Sequence, residues 1–278
     1  MSGFHPFSGR VSRLFEEIDR VADAKNDAQL DPEDAYLSYH DVRLTKLDVD
    51  SIRDDWLTDN GIAFWEEYLE HERLIHYPLA NIVLLRPTMS FMLLQTPDAL
   101  TLKSALPDFS KTTHIFLPIN NATSVTIPES GSHWSLLLVS AIDGVAFHYD
   151  SLGNDNEYPA ENVTQKMGAL LGKRLRFIHM RDAPQQENGS DCGVFVCMVM
   201  QKLLLERLLR ADSSDKVSMS LGASHKGLNP REGRKDMIRV IEGFRKEGER
   251  RRSRSPSPYR KKDDRSKSPP RIGDEQVH

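Results

Sequence analysis

Pro184-Gln185-Gln186-Glu187-Asn188-Gly189-Ser190-Asp191-Cys192-Gly193 runs directly into the apolar stretch 194–200. A polar, turn-forming segment thus delivers a cysteine to the start of a hydrophobic helix. Asn188-Gly189 and Ser190-Asp191 are turn signals. Asp191, or Ser190 before it, is placed to cap, so Cys192 falls in the first helical turn. Unpaired backbone N–H groups and the positive end of the helix dipole sit there, and both favour a thiolate over a thiol. Free cysteines are also among the most buried residue types, so a small core residue would fit the same place. The rest of the chain has to decide between the two.

The 278 residues are 38% hydrophobic and carry a net charge of −4. That charge is unevenly spread. Residues 249–278 hold 10 Lys/Arg and 5 Asp/Glu, and the preceding 248 residues hold 27 and 36. An acidic body with a basic tail is two physical objects. The body is not expected to bind nucleic acid by itself and suits a basic protein surface. Two cysteines, Cys192 and Cys197, cannot staple a secreted fold or make a zinc site, so no metal or cofactor is expected. A reducing, intracellular compartment is the simplest fit. No stretch reaches the length of a transmembrane helix, and residues 1–10 lack a signal-peptide core, so no membrane partner is expected.

Around the opening stretch the pattern alternates between strand and helix. Residues 1–35 form an extension in which Val11, Leu14, Phe15, Ile18 and Val21 recur at helical spacing; a short helix and a solvated segment both fit. Residues 36–47 alternate as a strand or hairpin. Thr58 or Asp59 caps a helix with Ile62, Phe64, Trp65, Tyr68 and Leu69 on its apolar face. Trp56, just before it, reads as a staple or core aromatic. Short strands are expected at 82–85 and 112–119, with a helix opened by Pro87. A further short helix is expected over 97–106. The run 133–139 is a central strand, Asp143-Gly144 a tight hairpin turn, and 145–150 its partner. A helix over 159–171, a strand over 174–180, the cysteine helix to about 209 and a helix over 231–246 complete a domain spanning 36–247. Residues 248–278, rich in Arg, Ser and Pro, read as a disordered tail outside the fold. The tail carries Ser255-Pro256, Ser257-Pro258 and Ser268-Pro269, candidate phosphorylation sites, and basic clusters at 250–252 and 260–262.

A cysteine nucleophile needs a base, and the base needs an orienting group. His114, His133, His148 and His179 are the candidate bases; Asp143, Asp150, Asp155 and nearby asparagines are the candidate orienters. The hairpin discriminates among them. His133 opens one strand and Asp150 closes its antiparallel partner, so both lie at one end of the sheet within hydrogen-bond reach. His148 is the nearest rival, deeper along the strand. Oxyanion donors would be the Cys192 N–H and a side-chain amide of Gln185 or Gln186, which spacing alone does not separate.

These blocks resemble a known family. His133-Trp134, Tyr149-Asp150-Ser151, the 184–193 stretch and Trp56-Leu57-x-Asp59 look like the signature blocks of the Ulp/SENP (sentrin-specific) cysteine proteases. The resemblance implies an α+β, papain-like (Ulp/adenain-type) fold with a central mixed sheet flanked by helices. It implies His133 as general base, Asp150 as its orienter, Cys192 as nucleophile and Gln186 as oxyanion donor. It also implies Trp56 and Trp134 as walls of a narrow tunnel for a Gly-Gly tail, and Asp59 as a contact to the modifier. The partner implied is a ubiquitin-like modifier, either Nedd (Rub) or SUMO, bound by a monomer in cytoplasm and nucleus. The Trp-Leu-x-Asp block, the interval from His133 to Asp150 and a catalytic domain near the N-terminus look like the deneddylase branch. Ser190, where relatives often carry tyrosine, and Glu187 depart from the pattern.

Overall fold

A computed structural model describes residues 30–124, 131–210, 217–222, 227–254 and 269–273. The elements in chain order are β1 (Ala35–Tyr39), β2 (Val42–Thr45), α1 (Lys46–Asp54), α2 (Asp59–Glu72), β3 (Ile82–Leu84), α3 (Pro87–Gln95), β4 (His114–Asn120), β5 (Trp134–Ser140), β6 (Val145–Tyr149), α4 (Glu157–Leu170), β7 (Arg176–His179), α5 (Cys192–Lys202), α6 (Pro230–Arg254) and β8 (Arg271–Ile272). Single turns at Leu74–His76 and Ala99–Leu102 and a wider π turn at Leu203–Leu208 fill the gaps. The 3₁₀ turn at Ala99–Leu102 stands within the span read as a short helix.

Five strands make the main sheet in the order β3-β4-β5-β6-β7. Its centre, β4-β5-β6, is antiparallel, and β3 and β7 flank it in parallel. The sheet is therefore mixed, as the family resemblance implied. All seven residues of β5 are buried because both sheet faces are covered. Strand alternation sorts them. Leu136 and Leu138 share a core with Val196, Val199 and Met200 of α5. Leu137 and Val139 share a second core with Leu93 of α3 and Ala160, Val163 and Met167 of α4. Burying each such side chain stabilises by about 1.5–3 kcal/mol. Helix α5 is thus pressed along the sheet, and its first residue is held at the strand ends.

The second sheet is small, in the order β2-β1-β8. Helix α1, which follows it directly, carries a signal not picked out in the sequence: Thr45 accepts from the Asp48 N–H while the Asp48 carboxylate accepts from the Thr45 N–H. This reciprocal capping box starts the helix. Thr58 caps α2 through the Gly61 N–H, as expected.

The reading of 248–278 as a tail outside the fold needs correction. Helix α6 continues to Arg254, supported by the Glu247–Arg251 pair one turn apart. Residues 269–273 then return, and β8 pairs in parallel with β1. Ser38 N–H donates to Pro270 O (2.9 Å) and His40 N–H to Ile272 O (2.8 Å). Gly248 permits this approach, since a Cβ there would lie 2.8 Å from Pro270 Cβ. A two-residue strand has too little length to show a period, which is why composition hid it. The expected N-terminal helix, the three Ser-Pro serines and the 260–262 cluster lie outside the described residues.

Candidate active site

The β5–β6 hairpin does what its sequence predicts. His133 precedes β5 and Asp150 follows β6, and His133 Nε2 meets Asp150 Oδ1 at 2.6 Å. Both side chains are buried. Asp150 is fixed from other directions: Oδ1 accepts from the Leu152 N–H and Oδ2 from the Asn156 N–H, each at 2.9 Å. Burial alone would raise the Asp150 pKa, but the bonds from His133, Asn156 and Leu152 outweigh it and hold the carboxyl below its ordinary range. Asn156 also donates from Nδ2 to the carbonyls of Ile119 and His133. It ties both sides of the hairpin mouth, a role the sequence reading left among unnamed nearby asparagines.

Cys192 opens α5 and is 2% exposed. Its thiol lies within electrostatic reach of His133. Burial lowers the His133 pKa, yet interaction with Asp150 and Cys192 overrides that and lifts it to about 9. The imidazole is therefore built to carry a proton between two acidic partners. The rival base has the opposite surroundings. His148 is fully buried against Ser135 Oγ (2.9 Å) and His179 Nδ1 (3.2 Å), and burial pushes it down to about 4. His114 is also buried, with a lowered pKa, on β4.

Asp191 sits at the cap position, but its side chain does not cap. Its carboxylate accepts instead from Asn188 Nδ2 and Arg234. The helix start is organised by Asn188, whose Oδ1 accepts from the Ser190 and Asp191 N–H groups (3.0 Å each).

The two glutamines, inseparable by spacing, have different jobs. Gln185 Nε2 donates to the Asp150 and Ala183 carbonyls, and its Oε1 accepts from the Gly153 N–H. It braces the loop carrying Asp150. Gln186 is held by Ser151: its N–H donates to Ser151 O, and its Oε1 accepts from the Ser151 hydroxyl (2.8 Å each). That fixes which way the amide faces. One Nε2 donor goes to Asn188 O, and an amide has two. Glu187 is exposed and Ser190 half-buried.

Trp134 lines a narrow crevice with Cys192, Tyr149, Asp150 and Phe195. It also lines a groove of about 770 Å³ shared with Trp56, Asp59, Asn60 and Asp48. Trp134 is thus the partition between nucleophile and groove. Trp56 is 45% exposed, which rules out the core-aromatic reading and leaves it as a groove wall. Asp59 is exposed on the same groove in the first turn of α2. Asp48 braces this wall by accepting from Thr58 Oγ1 (2.6 Å) and Asn60 Nδ2 (3.3 Å). Among the described residues, no cluster of His, Cys, Asp or Glu is arranged to hold a metal, and no helix is long and apolar enough to cross a membrane.

Residues 55–221 match the model of the Ulp1 protease family, C-terminal catalytic domain. The chain belongs to the Ulp1 protease family. Every candidate site residue of this Ulp1-family chain falls inside the matched span. It is 40% identical over 211 residues to NEDD8-specific protease 2 of Schizosaccharomyces pombe, covering 74% of this chain and 50% of that protein. It therefore spans half the length of that relative. Human sentrin-specific protease 8 is 32% identical over 167 residues, 58% of this chain and 76% of the human protein. The fold is similar to that of the C-terminal Ulp1 protease domain solved in complex with Smt3, the yeast ortholog of SUMO. That likeness has a TM-score of 0.53 at 21% identity and covers 78% of this chain and 93% of that one.

Proposed function

We propose that this chain is a cysteine peptidase that cleaves after the C-terminal Gly-Gly of the Nedd modifier, in its precursor and in conjugates such as those of cullins. The observation that carries the reading is the buried Cys192–His133–Asp150 chain at the mouth of a groove walled by Trp56 and Trp134. The 40% identity to a NEDD8-specific protease supports Nedd over SUMO.

The residues divide the work as follows. His133 takes the Cys192 proton, and Asp150 holds the resulting imidazolium. The thiolate attacks the carbonyl of the last glycine. Charge collects on its oxygen and is met by the Cys192 N–H and the Gln186 amide, which Ser151 orients. The C–N bond breaks as His133 returns the proton to the leaving amine. A thioester remains on Cys192. Water, losing a proton to His133, attacks the thioester and releases the modifier with a free carboxylate. Trp56 and Trp134 restrict entry to residues without side chains, and Asp59 contacts the modifier body.

Side-by-side hydrolysis of Nedd, SUMO and ubiquitin C-terminal coumarin amides by the full chain tests the reading. Nedd should be turned over fastest, and Cys192→Ala should reduce that rate to background. A faster SUMO rate would reassign the modifier, and undiminished turnover by Cys192→Ala would sink the peptidase mechanism. The enzyme acts as a monomer, in cytoplasm and nucleus; light scattering and imaging of a tagged chain check these two points.

A further inference from the structure

Arg234 lies on α6, outside the matched residues 55–221, and is buried. Its guanidinium reaches in two directions. Nε and Nη2 donate to Asp191 Oδ1 at 2.9 and 2.8 Å, and Nη2 donates to Ser190 O at 2.9 Å. That end grips the turn immediately before Cys192. Nη1 donates to the carbonyls of Ser51 (3.0 Å), Ile52 (3.1 Å) and Asp55 (2.8 Å). That end grips the close of α1 and the residue before Trp56. Carbonyls at a helix C-terminus have no intrahelical donor, and a cation there also suits the dipole. A planar fork of N–H donors serves both ends together. A lysine ammonium is a single point and cannot span them.

The same two segments also meet by packing. A Cβ on Gly193 would lie 2.8 Å from Leu57 Cβ, so the nucleophile helix rests directly on the Trp56-Leu57 segment. The seam has a steric contact on one side and the Arg234 fork on the other.

We propose that Arg234 is a positioning residue that sets the distance between the Trp56 wall of the groove and the Cys192 nucleophile. This rests on the peptidase reading above. A tail seated against Trp56 then presents its carbonyl to Cys192 in attacking geometry. A misplacement of about 1 Å costs on the order of 10²-fold in rate. Arg234 touches neither substrate nor reacting atoms. A merely structural brace would change the folded fraction and leave kcat and KM of the folded enzyme as they are. A positioning residue lowers kcat through the nucleophile and raises KM through the wall.

Arg234→Ala leaves the Asp191 carboxylate buried without its cation, and unfolding would mask the local effect. The informative variants are Arg234→Lys and Arg234→Gln in the full chain. Arg239→Gln is the control, since Arg239 is exposed on the same helix and pairs with Asp236. Thermal melts establish the folded fraction, and kcat and KM are measured on the modifier amide that the wild type cleaves fastest. Arg234→Lys should lose about 10- to 100-fold in kcat/KM, split between both parameters, Arg234→Gln should lose more, and Arg239→Gln should stay within twofold. Folded Arg234→Gln with kcat and KM within twofold of wild type would overturn the proposal. If the wild type cleaves none of the modifier amides, the peptidase reading has failed, not this one. The rate of Cys192 alkylation by iodoacetamide, corrected with Cys192→Ala, is then the readout. It should fall at least about threefold in Arg234→Gln, consistent with a displaced nucleophile, and an unchanged rate would overturn the proposal.

Discussion

At His133 burial and pairing pull in opposite directions, and pairing wins. Its protonated form is favoured in the folded state up to about pH 9, above the ordinary 6.5. The stabilisation from this proton is fully present below 6.5 and is lost as pH rises through 9. For a thiolate–imidazolium pair, the alkaline limb of the rate profile reports that same proton. Asp150→Asn removes the charge that helps hold it. The alkaline limb of kcat/KM should therefore move to lower pH, with the plateau down by about 10²- to 10⁴-fold. The loss of stability, read as the urea midpoint, should be larger at pH 6 than above pH 9. An unmoved alkaline limb would mean that Asp150 does not set the proton affinity of His133. His148 shows why identity alone does not make a base. It is a histidine two residues from Asp150, but its burial without a carboxylate partner keeps it neutral down to about pH 4.

At the scale of elements, the decisive contact is the one between α5 and the segment leading into α2. Gly193 allows it. Alanine is the better helix former by about 1 kcal/mol. Here, however, its Cβ would stand 2.8 Å from Leu57 Cβ, an atom one bond from the backbone that cannot swing aside. Overpacking of this kind costs about 1–3 kcal/mol, so the clash outweighs the propensity. Gly193→Ala should destabilise by about 1–2 kcal/mol in urea and lower kcat/KM, because α5 carries Cys192 away from the groove. Gly243→Ala, on the exposed face of α6 with nothing within 4 Å, should instead stabilise by up to about 1 kcal/mol. If Gly193→Ala stabilises as Gly243→Ala does, helix propensity and not the seam governs Gly193. This scale also divides what was legible. His133 and Asp150 could be paired from sequence because a two-stranded hairpin fixes which ends meet. Gln185 and Gln186 could not be separated, since adjacent loop residues obey no period. Arg234 was invisible for a different reason. Most of its acceptors are backbone carbonyls, which carry no residue identity, and its one carboxylate partner is 43 residues away, in the turn before another helix.

Across the whole molecule the two sheets have separate duties. The five-stranded sheet holds the hairpin and α5, and so the entire His133–Asp150–Cys192 set. The three-stranded sheet joins segments far apart in sequence, β1 with β8. Ile272 is the apolar anchor of β8, 7% exposed and part of the core that includes Tyr39 and Ile241. Truncating a buried isoleucine costs about 2–5 kcal/mol. A two-residue edge strand can close over the gap, which places Ile272→Ala near the lower figure. Among the described residues β8 pairs with β1 and packs on α6, and the groove wall is braced by Asp48. Ile272→Ala should therefore lower the urea midpoint by an amount equivalent to about 2 kcal/mol while leaving kcat/KM of the folded enzyme within twofold. Deletion of residues 269–278 should lower the midpoint further, again with kcat/KM within twofold, because it removes the same anchor and, in addition, the backbone bonds to Ser38 and His40. A specific fall in kcat with an unchanged melt would show that the returning strand acts on the site and not only on the stability of the small sheet.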